Sequence, residues 1–219
     1  MKHLILVGTL TVLAFSWAGA AEQEPVFVSL FDGKTFNGWT TVDGKPVTKG
    51  WEITPEGWIH RAGAGGDIYT EKEYANFILE FEWKVAPKAN SGVKYRMARY
   101  GNSYLGPEYQ VIDDGNKKPD RFSAGSLYEL FPPAPDRRLN PPGEWNQSRI
   151  VAGGTKIEHW LNGQKVVEAD TSTEAFRKAV AASKFRNQKD FAQNPSGRIM
   201  LQDHGGEVWF RSLRIKVLP

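Results

Sequence analysis

In the stretch 77–85, Phe77, Leu79, Phe81, Trp83 and Val85 alternate with Ile78, Glu80, Glu82 and Lys84. A period of two is the mark of a strand with one face in a core and the other face polar. The split recurs in three further runs. Val93, Tyr95 and Met97 oppose Lys94 and Arg96; Tyr109 and Val111 oppose Glu108, Gln110 and Ile112; Ile199 and Leu201 oppose Arg198, Met200, Gln202 and His204. Other β-type runs fall at 26–30, 51–54, 126–130, 147–152, 156–161, 164–168 and 207–217, punctuated by Gly, Pro, Asn and Asp. Many short strands of this kind predict an all-β sandwich of two antiparallel sheets.

Turn chemistry sharpens the picture. Gly153-Gly154 separates two β runs, and Asn162-Gly163 sits between Leu161 and Gln164. Both residues of an Asn-Gly pair tolerate positive φ, so 147–168 is expected to be a three-stranded meander. Thr171 and Glu174 read as a capping box, with Phe176, Ala179, Val180 and Ser183 at helical spacing behind them, which predicts one short helix near 173–185. The Pro-rich stretch 132–142 cannot join a central strand and reads as a long surface loop, as does 114–121. Gly63-Ala64-Gly65-Gly66 is followed by no helical pattern and reads as a flexible turn.

The N-terminus departs from this pattern. Lys2 and His3 precede an apolar run over 4–17 and the small residues Ala18-Gly19-Ala20, the layout of a secretory signal peptide over 1–20 that leaves one domain over 21–219. No later run nears eighteen apolar residues, so no membrane insertion is expected after its removal. An exported protein is predicted, in a bacterial periplasm or outside the cell. Without cysteine the fold must rest on its hydrophobic core. Lys plus Arg number 28 against 25 acids, a net charge of +3, and loss of Lys2 makes it 27 against 25, or +2. That is no nucleic-acid footprint. No phosphate-cradling glycine loop, paired-cysteine zinc pattern or G-x-S-x-G elbow is present, which argues against a dinucleotide enzyme.

Candidate chemistry starts at 201–216, LQDHGGEVWFRSLRIK, where a strand runs into Asp203 and His204 and turns on Gly205-Gly206. Imidazole suits proton transfer near neutrality, and a sheet rim gives it access. The alternative is a histidine that merely satisfies backbone groups in the turn. Asp113, Asp114, Asp203 and His204 form an alternative divalent-cation set; no cofactor is otherwise required. His159 shares parity with Ile157 and Leu161 and reads as a core histidine, while His60 carries no pattern. Polar faces rich in Glu, Lys, Arg and Gln beside Trp are either wet surface or the floor of a sugar cleft.

The blocks LFDGKTFNGW (30–39), SGVKYR (91–96), LGPEYQVIDD (105–114), SAGSLYELFPP (123–133), GEWNQSRIVAGGTKIEHWLNGQKV (143–166) and LQDHGGEVWFRSLRIK follow one another as in a known family. In them the chain resembles the secreted 3-keto-disaccharide hydrolases. The resemblance implies a concanavalin A-like jelly roll, a 3-keto-glycoside substrate, and a link to sugar oxidoreductases. A ketone at C3 acidifies the C2 proton, so a base can form an enolate and expel the C1 aglycone, with or without later hydration. For that chemistry His204 suits the base, with Asp203 or Asp113 to orient it. Arg96 and Lys94 suit the enolate oxygen, and Glu108 or Tyr128 the leaving group. Gln110, Gln202 and Glu82 are hydroxyl-binding candidates, and Trp145 or Trp160 a stacking ring. Arg96 has a plain alternative as an ion-pair partner of Glu82 or Glu108. Two rival functions stay open: a glycoside hydrolase using Glu80 with Glu82 or Glu82 with Glu108, and a non-catalytic carbohydrate-binding module.

Overall fold

Phe81 meets Tyr109 edge-on at 5.4 Å and Phe77 meets Tyr95 at 6.1 Å, and these contacts mark where two antiparallel sheets face each other. The computed structural model describes residues 26–115 and 117–219; the leader-like 1–20 lies outside them. In chain order the strands are β1 (Val28–Ser29), β2 (Trp39–Thr40), β3 (Trp51–Ile53), β4 (Ile59–Arg61), β5 (Ile68–Tyr74), β6 (Phe77–Val85) and β7 (Asn90–Tyr100). There follow β8 (Ser103–Leu105), β9 (Glu108–Ile112), β10 (Asn146–Gly153), β11 (Lys156–Leu161), β12 (Gln164–Asp170), helix α1 (Glu174–Ala181), β13 (Gly197–Leu201) and β14 (Val208–Val217).

One sheet runs β12-β11-β10-β6-β14-β4-β3, with β1 also on β14. The other runs β2-β5-β13-β7-β8, with β9 also on β7. The expected jelly-roll sandwich is thus present, and alternation builds it: Phe77, Leu79, Phe81 and Trp83 of β6 pack in one interior cluster with Val93, Tyr95, Tyr109, Ile199 and Leu201. The meander β10-β11-β12 forms as predicted, with Asn162 and Gly163 at φ of 46° and 81°. His159 is a core histidine, its Nε2 2.9 Å from the Tyr95 hydroxyl and its Nδ1 3.2 Å from Gly125 O. Burial holds its pKa down at about 4. Among the described residues no helix is long and apolar enough to cross a membrane.

Three expectations are corrected, and four strands are added to those expected. Residues 126–130 are not a strand: Gly125 and Glu129 take φ of 82° and 69°, and the segment closes a turn whose Leu127 bridges Tyr109 and Phe131. The helix cap is Thr173, whose side chain accepts from Phe176 N at 3.2 Å, and not Thr171. The short strands β2, β4 and β8, and β5 whose outer half is exposed, escape a period-two reading. Finally, Arg96 takes φ 46° where the register between β7 and β13 shifts. That irregularity reverses parity beyond it, so Met97 leaves the core side and clusters with Met200 and Tyr69.

Candidate active site

The outer face of the smaller sheet is an ordered polar floor. Pairing of β5, β13, β7 and β9 sets Tyr69, Met200, Lys94 and Glu108 in one cross-strand row. The next row carries Gln202, whose N–H donates to Gly92 O at 2.9 Å, then Gly92 itself, then Gln110. Beyond it lies Asn90, whose backbone bridges Gly205 and whose side chain meets His204.

Lys94 and Glu108 form a buried pair, Nζ to Oε2 3.5 Å. Glu108 lies over Gly92, where a methyl group would collide with the carboxylate. The missing Cβ therefore makes room for the acid. Burial, against the pull of Lys94 and Lys184, raises the Glu108 pKa, so it keeps its proton further up the pH scale than a free glutamate. Asp67, beside Lys94 and receiving the Asp203 N–H at 2.8 Å, is raised by burial too. Lys184, from the segment after α1, sits 4.3 Å from the Tyr128 ring centroid. Burial and the Lys94 charge lower its pKa, against the pull of Glu108. Tyr128 donates its N–H to Glu108 O at 3.0 Å, and burial together with the Glu108 charge raises its hydroxyl pKa.

Three amide oxygens on this strip, Asn90 Oδ1, Gln110 Oε1 and Gln202 Oε1, are buried without a protein partner. A buried acceptor left unmet costs about 1–3 kcal/mol, which a hydroxyl donor can recover. His204 is exposed at the rim, with Nδ1 3.3 Å from the Asn90 amide. An amide can present either end. With Oδ1 toward the ring, Nδ1–H donates, Nε2 keeps a free lone pair, and one of the unmet acceptors is satisfied.

The structure thus gathers Lys94, Glu108, Gln110, Tyr128 and Gln202 on one face, with His204 at its edge. It scatters the rest. The Arg96 guanidinium, in a residue only 4% exposed, donates to Ala75 O at 2.8 Å, Gly154 O at 2.7 Å and Asn76 Oδ1 at 3.2 Å, because the bulge turns it to the sheet edge. Glu82, Trp145 and Trp160 lie on the outer face of the other sheet, since β6, β10 and β11 belong there: Glu82 pairs with Arg211 at 2.5 Å, Trp145 stacks edge-on with Trp58, and Trp160 donates to Glu158 at 2.8 Å. Neither aspartate orients His204. Asp113 caps a turn, accepting from Lys88 N and Gly115 N, while Asp203 accepts from Arg61, Gly65 N and Gly66 N. Asp114 pairs with Arg137 at 2.6 Å. The alternative cation set is therefore divided among separate jobs, and among the described residues no three His, Asp or Glu side chains converge as a metal site. Sequence reading missed Asp67, Lys184 and Asn90; only Asn90, next to the quoted SGVKYR block, carried a signal.

The profile of one family, described as a 3-keto-alpha-glucoside-1,2-lyase-like domain, matches residues 26–216. The chain belongs to this family. A 3-keto-disaccharide hydrolase of Bacteroides thetaiotaomicron is 34% identical to it, over 88% of this chain and 78% of that protein. Two solved structures from Parabacteroides distasonis, each provisionally described as a glycosyl hydrolase, are similar as well. One is 32% identical with a TM-score of 0.79, covering 88% of this chain and 94% of the other. The second is 28% identical with a TM-score of 0.71, covering 88% and 100%. The blocks 91–96 and 105–114 that carry the resemblance hold Gly92, Lys94, Glu108 and Gln110 of the polar floor, and both lie within the matched range.

Proposed function

We propose that this protein cleaves the glycosidic bond of 3-keto-glycosides or 3-keto-disaccharides by elimination across C1 and C2. The observation that carries the reading is the largely buried Lys94–Glu108 pair, with the Lys184 side chain close by over Tyr128, on the same sheet face as the unmet amide acceptors and with His204 at its edge. The family's description as 1,2-lyase-like and the relative named a 3-keto-disaccharide hydrolase supply the substrate class.

His204 Nε2 takes the C2 proton, and the C–H electron pair passes through C2–C3 onto the C3 oxygen. Lys94 and Lys184 hold that oxyanion. Collapse of the enolate restores the C3 carbonyl, forms C1=C2 and breaks the C1–O bond, and Glu108, whose pKa burial raises, gives its proton to the departing oxygen. Water added at C1 completes net hydrolysis. Gln110 and Gln202 take the sugar hydroxyls, Asn90 orients the His204 ring, and Tyr128 walls the site. Of the paired-carboxylate alternatives, Glu82 and Glu108 stand on opposite outer faces of the sandwich, and Glu80 and Glu82, on one face, are each held by arginine.

The C3 ketone requires a prior two-electron oxidation of the sugar, so an oxidoreductase acting before this protein is part of the proposal. Export is part of it also, resting on the leader-like 1–20. The test is aglycone release from a 3-keto-disaccharide and from its unoxidised parent. Cleavage of the keto form alone supports the reading; equal rates on both contradict it.

A further inference from the structure

The outer face of the larger sheet, on the far side of the sandwich from the polar floor, is organised as well. Cross-strand pairing sets Trp160, Arg149, Glu80 and Arg214 in one row over β11, β10, β6 and β14. The next row on the same face is Gln147, Glu82 and Arg211. Two residues further along β6 comes Lys84, with Nζ 4.8 Å from the Trp58 ring, 5.1 Å from Trp145 and 4.8 Å from Trp209. Indole rings therefore flank a band of planar charged groups at both ends. From Glu80 to Lys84 is four residues, about 13 Å at the rise of a strand, the length of two to three hexose units.

A groove of about 520 Å³ runs through this band, lined by Glu80, Glu82, Gln147, Arg149, Trp160 and Arg214. Ser212 on its edge adopts φ 53° where the β14 register shifts between Arg211 and Arg214. A non-glycine residue held there costs free energy, and such outliers concentrate at working surfaces. The two rows set Glu80 and Glu82 against Arg149, Arg211 and Arg214. Glu80 is gripped by Arg149 and Arg214, each at 2.6 Å, and Glu82 by Arg211 at 2.5 Å.

We propose that this groove is a second, non-catalytic site that binds a neutral oligosaccharide. Every carboxylate and guanidinium of the two rows is already committed to an ion pair, which leaves little free charge for an ionic ligand. Planar guanidinium, carboxylate and amide groups fixed by their mutual bonds still offer spare N–H donors and lone pairs to vicinal hydroxyls, and the Trp160 indole in the lining suits the apolar face of a sugar ring. The groove lacks the means to cleave what it holds. Both lining carboxylates are tied to guanidiniums, Glu80 to Arg149 and Arg214 and Glu82 to Arg211, and for Glu80 the upward push of burial is outweighed by the hydrogen bonds from Arg214 and Arg149, which lower its pKa. The face thus anchors glycan while the opposite face acts on oxidised sugar.

The experiment titrates the protein with cellotriose, maltotriose and laminaritriose at millimolar concentration while following the Trp indole N–H resonances. At least one trisaccharide is expected to shift the Trp160 resonance. Trp160→Ala and, separately, Arg149→Ala should weaken that binding roughly tenfold, and leave turnover of a soluble 3-keto-disaccharide unchanged. His204→Ala should abolish that turnover and leave the trisaccharide binding intact. Silence with all three sugars, or binding that survives both groove substitutions, overturns the proposal without touching the elimination reading.

Discussion

Glu108 bends its carboxylate over the bare Cα of Gly92, on the strand whose Lys94 lies 3.5 Å from it. The acid is where it is because the residue beneath has no side chain. Gly92→Ala should therefore displace the carboxylate and lower kcat/KM by about a hundredfold or more, the usual cost of an ångström of misplacement. Steady-state kinetics on a 3-keto-disaccharide, with circular dichroism to show that the fold persists, checks this.

The raised Glu108 pKa sets the pH behaviour. As the leaving-group acid it must be protonated, so kcat falls as pH rises through that pKa, and Glu108→Gln removes this limb while reducing turnover by about 10²–10⁴. Stability carries the same sign. A carboxyl whose folded pKa exceeds its unfolded value of 4.5 contributes fully below that value and loses the contribution as pH rises through the folded pKa. The melting temperature of the natural protein minus that of Glu108→Gln should thus decline as pH rises above about 4.5.

His204 is exposed and held by one contact, so His204→Ala should leave the thermal transition within a few degrees of the parent and cut turnover by about 10²–10⁴. Asn90→Asp keeps an acceptor for Nδ1–H and should retain most activity; Asn90→Leu should not. Activity surviving His204→Ala would remove the imidazole from the mechanism.

How much of this was legible depends on the reach of each signal. The period of two in 77–85 and 109–112 fixes which face is core, because alternation is local. Sheet membership is not local. The polar sides of β6 and β7 look alike in sequence, yet β6 pairs with β10 and β14 while β7 pairs with β13 and β9, so Glu82 and Glu108 end on opposite surfaces. Arg96 shares parity with Lys94 on paper. Its positive φ at an irregular register, visible only once β13 is in place, sends it elsewhere. Lys184 reaches the site from a turn past α1, a placement that no spacing encodes.

Arg96 therefore has a structural role with a distinct signature. Replacing it with Leu leaves Ala75 O, Gly154 O and Asn76 Oδ1 without their donor, which should cost about 2–4 kcal/mol of stability. Denaturant melts measure this loss, and kcat per folded molecule should stay near the parent value.

The proposed chemistry turns on removal of the C2 proton. A 3-keto-disaccharide deuterated at C2 should show a primary isotope effect on aglycone release, or loss of the label to solvent during turnover. Release at an unchanged rate with the deuterium retained at C2 would contradict elimination and leave direct displacement at C1.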